Sequence, residues 1–115
     1  MQKDQLFLLK PGFFKESEGP FYCGDSVAVE GLLSFFSQLR NEIDVHYIDA
    51  SRPRAAIITL IGEDNQSAPV LVLGSEQVPV DCSVEIRTHK GARFIDNPDQ
   101  IRRYLSSQYG VAHVS

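Results

Sequence analysis

The sequence predicts one α/β domain over residues 1–115, with a mixed central sheet flanked by helices. Two observations predict this fold class. Short apolar runs typical of buried strands alternate with stretches in which apolar residues recur every three or four positions, as they do in amphipathic helices. The length of 115 residues is near the commonest size of a single domain, and it suffices for one hydrophobic core without disulfides or a metal.

Composition excludes several classes of function. The chain carries 11 Lys and Arg against 15 Asp and Glu, a formal net charge of −4, so a nucleic acid is not expected as a partner. The longest apolar stretches, at 55–61 and 68–73, are far shorter than the roughly 20 residues that cross a bilayer. The N-terminus lacks the apolar core of a signal peptide. Two cysteines do not make a disulfide framework, and we expect a cytoplasmic protein.

The first half of the chain predicts a strand, a loop, a helix and a second strand. Leu6 to Leu9 is apolar on both faces, as in a buried strand. Pro11 to Tyr22 contains breakers and is predicted as a loop whose aromatic side chains pack against the domain. A helical pattern follows Cys23 and continues to Leu39, with Asp25 or Ser26 as its cap. The next strand covers 45–49.

The second half predicts two more helices around further strands. Ser51-Arg52-Pro53 is predicted to start a helix, with Pro53 in its first turn and Gly62 as its stop. Residues 68–73 form an apolar strand that begins at a proline. Two short strand candidates follow at 84–87 and 92–95, and a last helix opens at Asn97-Pro98. The predicted order is β-α-β-α-β-β-α.

Two details of this order indicate a known superfamily. A cysteine begins the helix after the first strand, and Ala68-Pro69 begins the third strand. In both respects the chain resembles the thioredoxin and glutaredoxin superfamily, which implies a thioredoxin-like fold. The resemblance also implies that Cys23 is the nucleophile, that Ser26 occupies the resolving position and that Pro69 is a cis-proline. Ala68 would then supply the backbone edge that binds a peptide ligand in glutathione-binding members.

A narrower resemblance covers nearly the whole chain. The segments 8–14, 29–33 and 65–73 are similar to those of an uncharacterised bacterial thioredoxin-like family, known as a domain of unknown function. This similarity favours the fold and says little about activity.

The chemistry expected of Cys23 is that of a single thiol. A helix N-terminus favours thiolate over thiol, the charge of Asp25 opposes this, and Lys15 assists if its loop folds over the site. Because Ser26 stands in place of a second cysteine, the implied reaction is attack on a mixed disulfide, with glutathione as co-substrate and a second thiol to resolve it. The alternative is a non-catalytic binding or adaptor module that holds a partner at the Pro69 edge or the 13–22 segment.

The remaining candidates are minor. Arg54, with Arg52, is placed to meet an anionic ligand such as a glutathione carboxylate. Cys-Gly-Asp-Ser is similar to the Cys-Gly-Phe-Ser of monothiol glutaredoxins that hold iron–sulfur clusters, but Asp25 replaces the aromatic residue and the chain has no Trp. We therefore expect no metal site and no bound cofactor. Whether Cys82 forms a disulfide with Cys23 stays open. The expected partners are glutathione or a protein thiol or disulfide. The expected oligomeric state is a monomer or a weak homodimer.

Overall fold

A computed structural model describes residues 2–115, and this part of the chain forms seven strands and four helices. The elements, in chain order, are β1 (Gln5–Leu9), β2 (Phe13–Lys15), β3 (Glu18–Phe21), α1 (Gly24–Phe35), α2 (Leu39–Glu42), β4 (Asp44–Ile48), α3 (Ala55–Ile61), β5 (Val70–Val72), β6 (Arg87–His89), β7 (Ala92–Ile95) and α4 (Pro98–Tyr109).

Five of the strands form one mixed sheet in the order β4-β1-β5-β7-β6. Strand β1 pairs in parallel with β4 and antiparallel with β5, and β7 pairs antiparallel with both β5 and β6. The mixed sheet flanked by helices that the sequence predicts is therefore confirmed. The apolar run of β1 is explained by its place inside the sheet, where side chains on both faces are buried.

Helices cover both faces of this sheet. On one face Leu6 and Leu8 of β1 share a core with residues of α1 and α4, among them Leu33 and Tyr104. On the other face Phe7 packs with Ile57 and Ile61 of α3, together with Val70, Val72 and Phe94. The helix after β1 and the helix after β4 thus lie on opposite faces. In α/β sheets such a reversal opens a crevice at the carboxyl ends of the two strands.

The loop predicted over Pro11 to Tyr22 is wrong, because this segment contains the β2–β3 hairpin. The hairpin is a separate two-stranded sheet with Phe13 opposite Phe21. Gly19 lies so close to the facing strand that a Cβ there would stand 2.9 Å from the Phe13 carbonyl oxygen. The aromatic side chains of the 11–22 segment were expected to pack against the domain. Phe14 and Tyr22 are nevertheless 60% and 65% exposed.

Several element boundaries also differ from the prediction. Helix α3 begins at Ala55 rather than at Pro53, because Arg54 has non-helical dihedral angles (φ −96°, ψ 81°). The first helix ends at Phe35, and a separate short helix, α2, precedes β4. Strand β6 begins at the last residue of the predicted 84–87 segment, and Val84 lies outside the strand as a core residue. Three strands separate α3 from α4, in agreement with the three predicted segments 68–73, 84–87 and 92–95, whereas the order β-α-β-α-β-β-α counts only two there.

The helices of residues 2–115 are short. The longest of them, α1 and α4, contain 12 residues each, and no helix in this part of the chain is long and apolar enough to cross a membrane.

Candidate functional site

A cavity of about 770 Å³ lies at the sheet edge where β1 and β4 end. Its walls come from the ends of these strands, the start of α1, the residues before α3 and the β2–β3 hairpin. The lining residues are 9–15, 21–24, 49–51 and Arg54. This is the crevice that the opposite placement of α1 and α3 creates, and its volume is within the range of small-molecule sites, about 300–1,000 Å³.

Cys23 lies in this cavity as the N-cap residue of α1. Its backbone is extended (φ −83°, ψ 115°), and its Sγ accepts a hydrogen bond from the Ser26 N–H at 3.4 Å. The predicted cap at Asp25 or Ser26 is therefore wrong, because the cysteine sulfur takes this role. The Cys23 side chain is half-buried, and its sulfur lies at the N-terminal end of α1, where it faces the unpaired N–H groups of the first helical turn.

Ser26 faces away from the cavity. Its side chain is buried, with 3% of the residue exposed, and its Oγ accepts a hydrogen bond from the Leu9 N–H at 3.1 Å. Ser26 is not among the lining residues. The hydroxyl ties the first turn of α1 to the end of β1, and this contact fixes the position of Cys23.

Arg54 lines the cavity and also braces the loops around it. Its Nε and Nη2 donate to the Ala50 carbonyl at 3.1 and 2.8 Å, and its Nη1 donates to the Gln66 carbonyl at 2.8 Å. These bonds use three of the five N–H donors of a guanidinium. Burial lowers the pKa of Arg54, the charge of Arg52 adds to this, and Cys23 acts in the opposite direction. Arg54 and Cys23 belong to the wall of the same cavity.

Ala68 and Pro69 lie at the same sheet edge but do not line the cavity. The peptide bond between them is cis, and Pro69 is buried. The antiparallel register places Val70 opposite Phe7, so the residues before Val70 run alongside the end of β1. No turn or loop hydrogen bond within residues 2–115 involves the Ala68 main chain. The fold therefore brings Ala68 and Pro69 to the edge that carries Cys23, outside the walls of the cavity.

The sequence reasoning missed most of the cavity wall. Lys10 at the end of β1 forms an exposed ion pair with Asp49, with Nζ and Oδ1 3.5 Å apart. Lys15, the single cation of the hairpin, was considered, and its Nζ lies 5.6 Å from the centroid of the Phe21 ring. The signal for Lys10 and Asp49 was available, since Lys10 follows one predicted strand and Asp49 ends the next, and parallel strands have their carboxyl ends at the same edge of a sheet.

The two cysteines are not paired. Cys23 and the exposed Cys82 are both free thiols. Over residues 2–115, no group of three or more His, Cys, Asp or Glu side chains is arranged to hold a metal ion.

Comparison with known proteins gives a family. Residues 3–113 match the model of a family described as protein of unknown function (DUF3088). No curated protein and no solved structure matches the chain.

Proposed function

We propose a function for this chain, which belongs to the DUF3088 family of proteins of unknown function: a monothiol, glutathione-linked thiol–disulfide oxidoreductase with Cys23 as nucleophile. The observation that carries the proposal is the Cys23 sulfur, which accepts the Ser26 N–H and opens into a cavity of about 770 Å³. In a reducing compartment such as the cytoplasm, both cysteines stay available as thiols.

We also propose that the fold is thioredoxin-like. Four neighbouring strands in the order β4-β1-β5-β7 favour this, with β1 and β4 parallel and β5 and β7 antiparallel to each other. Further support comes from two placements that the resemblance implies, a cysteine at the start of α1 and a cis Ala68-Pro69 bond before β5. On this view the β2–β3 hairpin and β6 are additions to the shared core.

The reaction takes two exchanges. The Cys23 thiolate attacks the glutathione sulfur of a mixed disulfide, forming a Cys23–glutathione disulfide and releasing the other thiolate, which takes a proton from water. A second glutathione thiolate then attacks the glutathione sulfur on Cys23, forming oxidised glutathione and restoring the Cys23 thiolate. One added glutathione thereby reduces the mixed disulfide to the free thiol, and it leaves as oxidised glutathione together with the glutathione that the mixed disulfide carried. Ser26 takes no covalent part.

The test compares the two cysteines of the chain. After treatment with oxidised glutathione, mass spectrometry is expected to find one glutathione on Cys23 and none on Cys82. At pH 7 iodoacetamide is expected to alkylate Cys23 about tenfold faster than Cys82, although Cys82 is the more exposed of the two. The Cys82→Ser variant is the matched control and should keep the adduct. Equal alkylation rates, or an adduct on Cys82 alone, would contradict the proposal.

A binding or adaptor module is the second candidate. The observation that favours it is the exposure of Phe14 and Tyr22 beside the cavity, since exposed aromatic side chains are enriched where proteins meet partners. A module of this kind keeps its cellular role in a Cys23→Ser variant and loses it in Phe14→Ser. The oxidoreductase predicts the reverse.

A further inference from the structure

The charge of the cavity differs in sign from that of the whole protein. The chain has a net charge of −4, whereas the cavity wall contains Lys10, Lys15 and Arg54 against one acid, Asp49. Asp49 is paired with Lys10 on the exposed rim. Within residues 2–115, Lys15 and Arg54 form no ion pair with a carboxylate. The residues that line the cavity therefore carry a formal net charge of +2, from three cations and one acid.

The position of Lys15 leaves its ammonium group available to a ligand. Lys15 lies opposite Glu18 across the hairpin, but no ion pair forms between them. The ammonium instead lies 5.6 Å from the centre of the Phe21 ring, and such a cation–π contact orients the group without neutralising its charge. The two guanidinium N–H donors of Arg54 that bind no carbonyl add to the same field.

We propose that the cavity selects anionic thiol and disulfide substrates, with Lys15 as a specificity-determining residue and Arg54 as the second positive charge. Cations in a concave wall raise the local concentration of anions far more than the same charges on an open surface. The walls of Phe13 and Tyr22 cover the apolar part of the substrate. This inference rests on the proposed function for the reacting group, Cys23, and it names the class of substrate that reaches it.

The test uses two alkylating reagents that differ in charge. Iodoacetate and iodoacetamide react in the same way, since the thiolate forms a C–S bond and iodide leaves, but only iodoacetate carries a carboxylate. The measured quantity is the ratio of the iodoacetate rate to the iodoacetamide rate at Cys23, at Cys82 and in N-acetylcysteine amide. We expect the ratio at Cys23 to exceed both references by about threefold or more at low salt, and to fall as salt screens the charges.

Charge variants identify the residue responsible. Lys15→Glu is expected to lower the ratio at Cys23 by about threefold or more, and Lys15→Gln by a smaller factor. Lys90→Glu makes the same change in net charge in the β6–β7 turn. That turn lies at the sheet edge where β1 begins, opposite the cavity, so this variant should leave the ratio unchanged. The ratio at Cys82 serves as the internal reference in every variant.

Two results would overturn the inference. One is a wild-type ratio at Cys23 no higher than in N-acetylcysteine amide. The other is an equal ratio at Cys23 in Lys15→Glu, Lys15→Gln and Lys90→Glu. Failure of the proposed function gives a different result, because Cys23 would then keep its preference for iodoacetate while forming no glutathione adduct.

Discussion

At the scale of single residues, the candidate site depends on two hydrogen bonds at the start of α1. The Ser26 main chain donates to the Cys23 sulfur, and the Ser26 side chain accepts from the Leu9 N–H. One residue thus orients the sulfur and fastens the helix to the end of β1. Ser26 is therefore a positioning residue for Cys23, through contacts that a cysteine or alanine would not reproduce fully.

Ser26→Ala is expected to lower the free energy of unfolding by about 1–3 kcal/mol, because it leaves the part-buried Leu9 N–H without its acceptor. Ser34→Ala is the matched control, since Ser34 is exposed on the same helix and alanine is the better helix former. Urea unfolding of both variants measures the difference. Equal stabilities would show that the Leu9 contact contributes nothing.

The position of Cys23 at the start of a helix could be predicted from the sequence, whereas the contacts of Ser26 could not, for a physical reason. A cysteine at the start of a helix is a local pattern, visible within a few residues. The partner of the Ser26 hydroxyl is 17 positions earlier in the chain, so its role depends on how α1 docks on β1. The helix cap was misassigned although its contact is local, because Cys23 takes the N-cap position that the sequence analysis gave to Asp25 or Ser26.

At the scale of elements, the β2–β3 hairpin stands apart from the rest of the fold. It forms its own two-stranded sheet, and none of its residues belongs to either core cluster or packs against one. The Gly12 N–H donates to the Phe21 carbonyl and closes its base. The hairpin therefore contributes to the cavity and not to the core.

Replacing residues 13–21 with a Gly-Ser segment of the same length is expected to change the free energy of unfolding by less than about 1 kcal/mol, since little apolar burial is lost. The iodoacetate preference of Cys23 should fall, because, of the two charges proposed to select anions, Lys15 is gone and only Arg54 remains. Urea unfolding and the two-reagent ratio measure these outcomes. Loss of cooperative unfolding in this variant would mean that the hairpin is part of the core.

The hairpin was missed because its residues have the composition of a loop. Gly12, Gly19 and Pro20 all interrupt the pattern, and a proline is accepted only in a strand that has a free edge. Strands β1 and β5 of the main sheet were predicted because burial on both faces leaves continuous apolar runs. A buried strand leaves a recognisable apolar pattern in the sequence, whereas a strand of an exposed two-stranded sheet leaves none.

At the scale of the whole molecule, a buried carboxylate joins the ends of the chain at the edge opposite the cavity. Asp4 has 0% exposure. Its Oδ1 accepts from the Gly74 N–H at 2.7 Å, and its Oδ2 accepts from the hydroxyls of Tyr104 and Tyr109 at 2.6 and 2.8 Å and from Gln77 Nε2 at 3.2 Å. Four donors compensate the cost of burying this side chain.

This network lies beyond what the sequence reveals. The spacing of apolar residues predicts the buried face of α4, including Tyr104, but it gives no reason to bury a polar residue before β1. Asp4 and Tyr109 are 105 positions apart. Glycine is required at position 74, because a Cβ there would stand 2.2 Å from the Gln2 carbonyl oxygen. This steric constraint also exists only in the folded chain.

Because of this network, the free energy of unfolding depends on pH in the alkaline range. Burial, and then the hydrogen bonds to Asp4, raise the pKa values of Tyr104 and Tyr109 in the folded protein. Above about pH 10 these phenols lose protons in the unfolded chain and keep them in the folded one. The unfolded state then binds fewer protons, so stability is fully present below pH 10 and falls as the pH rises further.

The free energy of unfolding is therefore expected to fall above pH 10 by as much as about 1.4 kcal/mol per pH unit for each of the two tyrosines. Urea unfolding between pH 8 and about pH 11 measures this slope. Tyr109→Phe should make it shallower, because one of the two coupled phenols is removed. Tyr22→Phe removes an exposed phenol that makes no contact with Asp4, and it is the matched control. Equal slopes in these two variants would contradict the assignment, since the alkaline loss would then arise outside the contacts of Asp4.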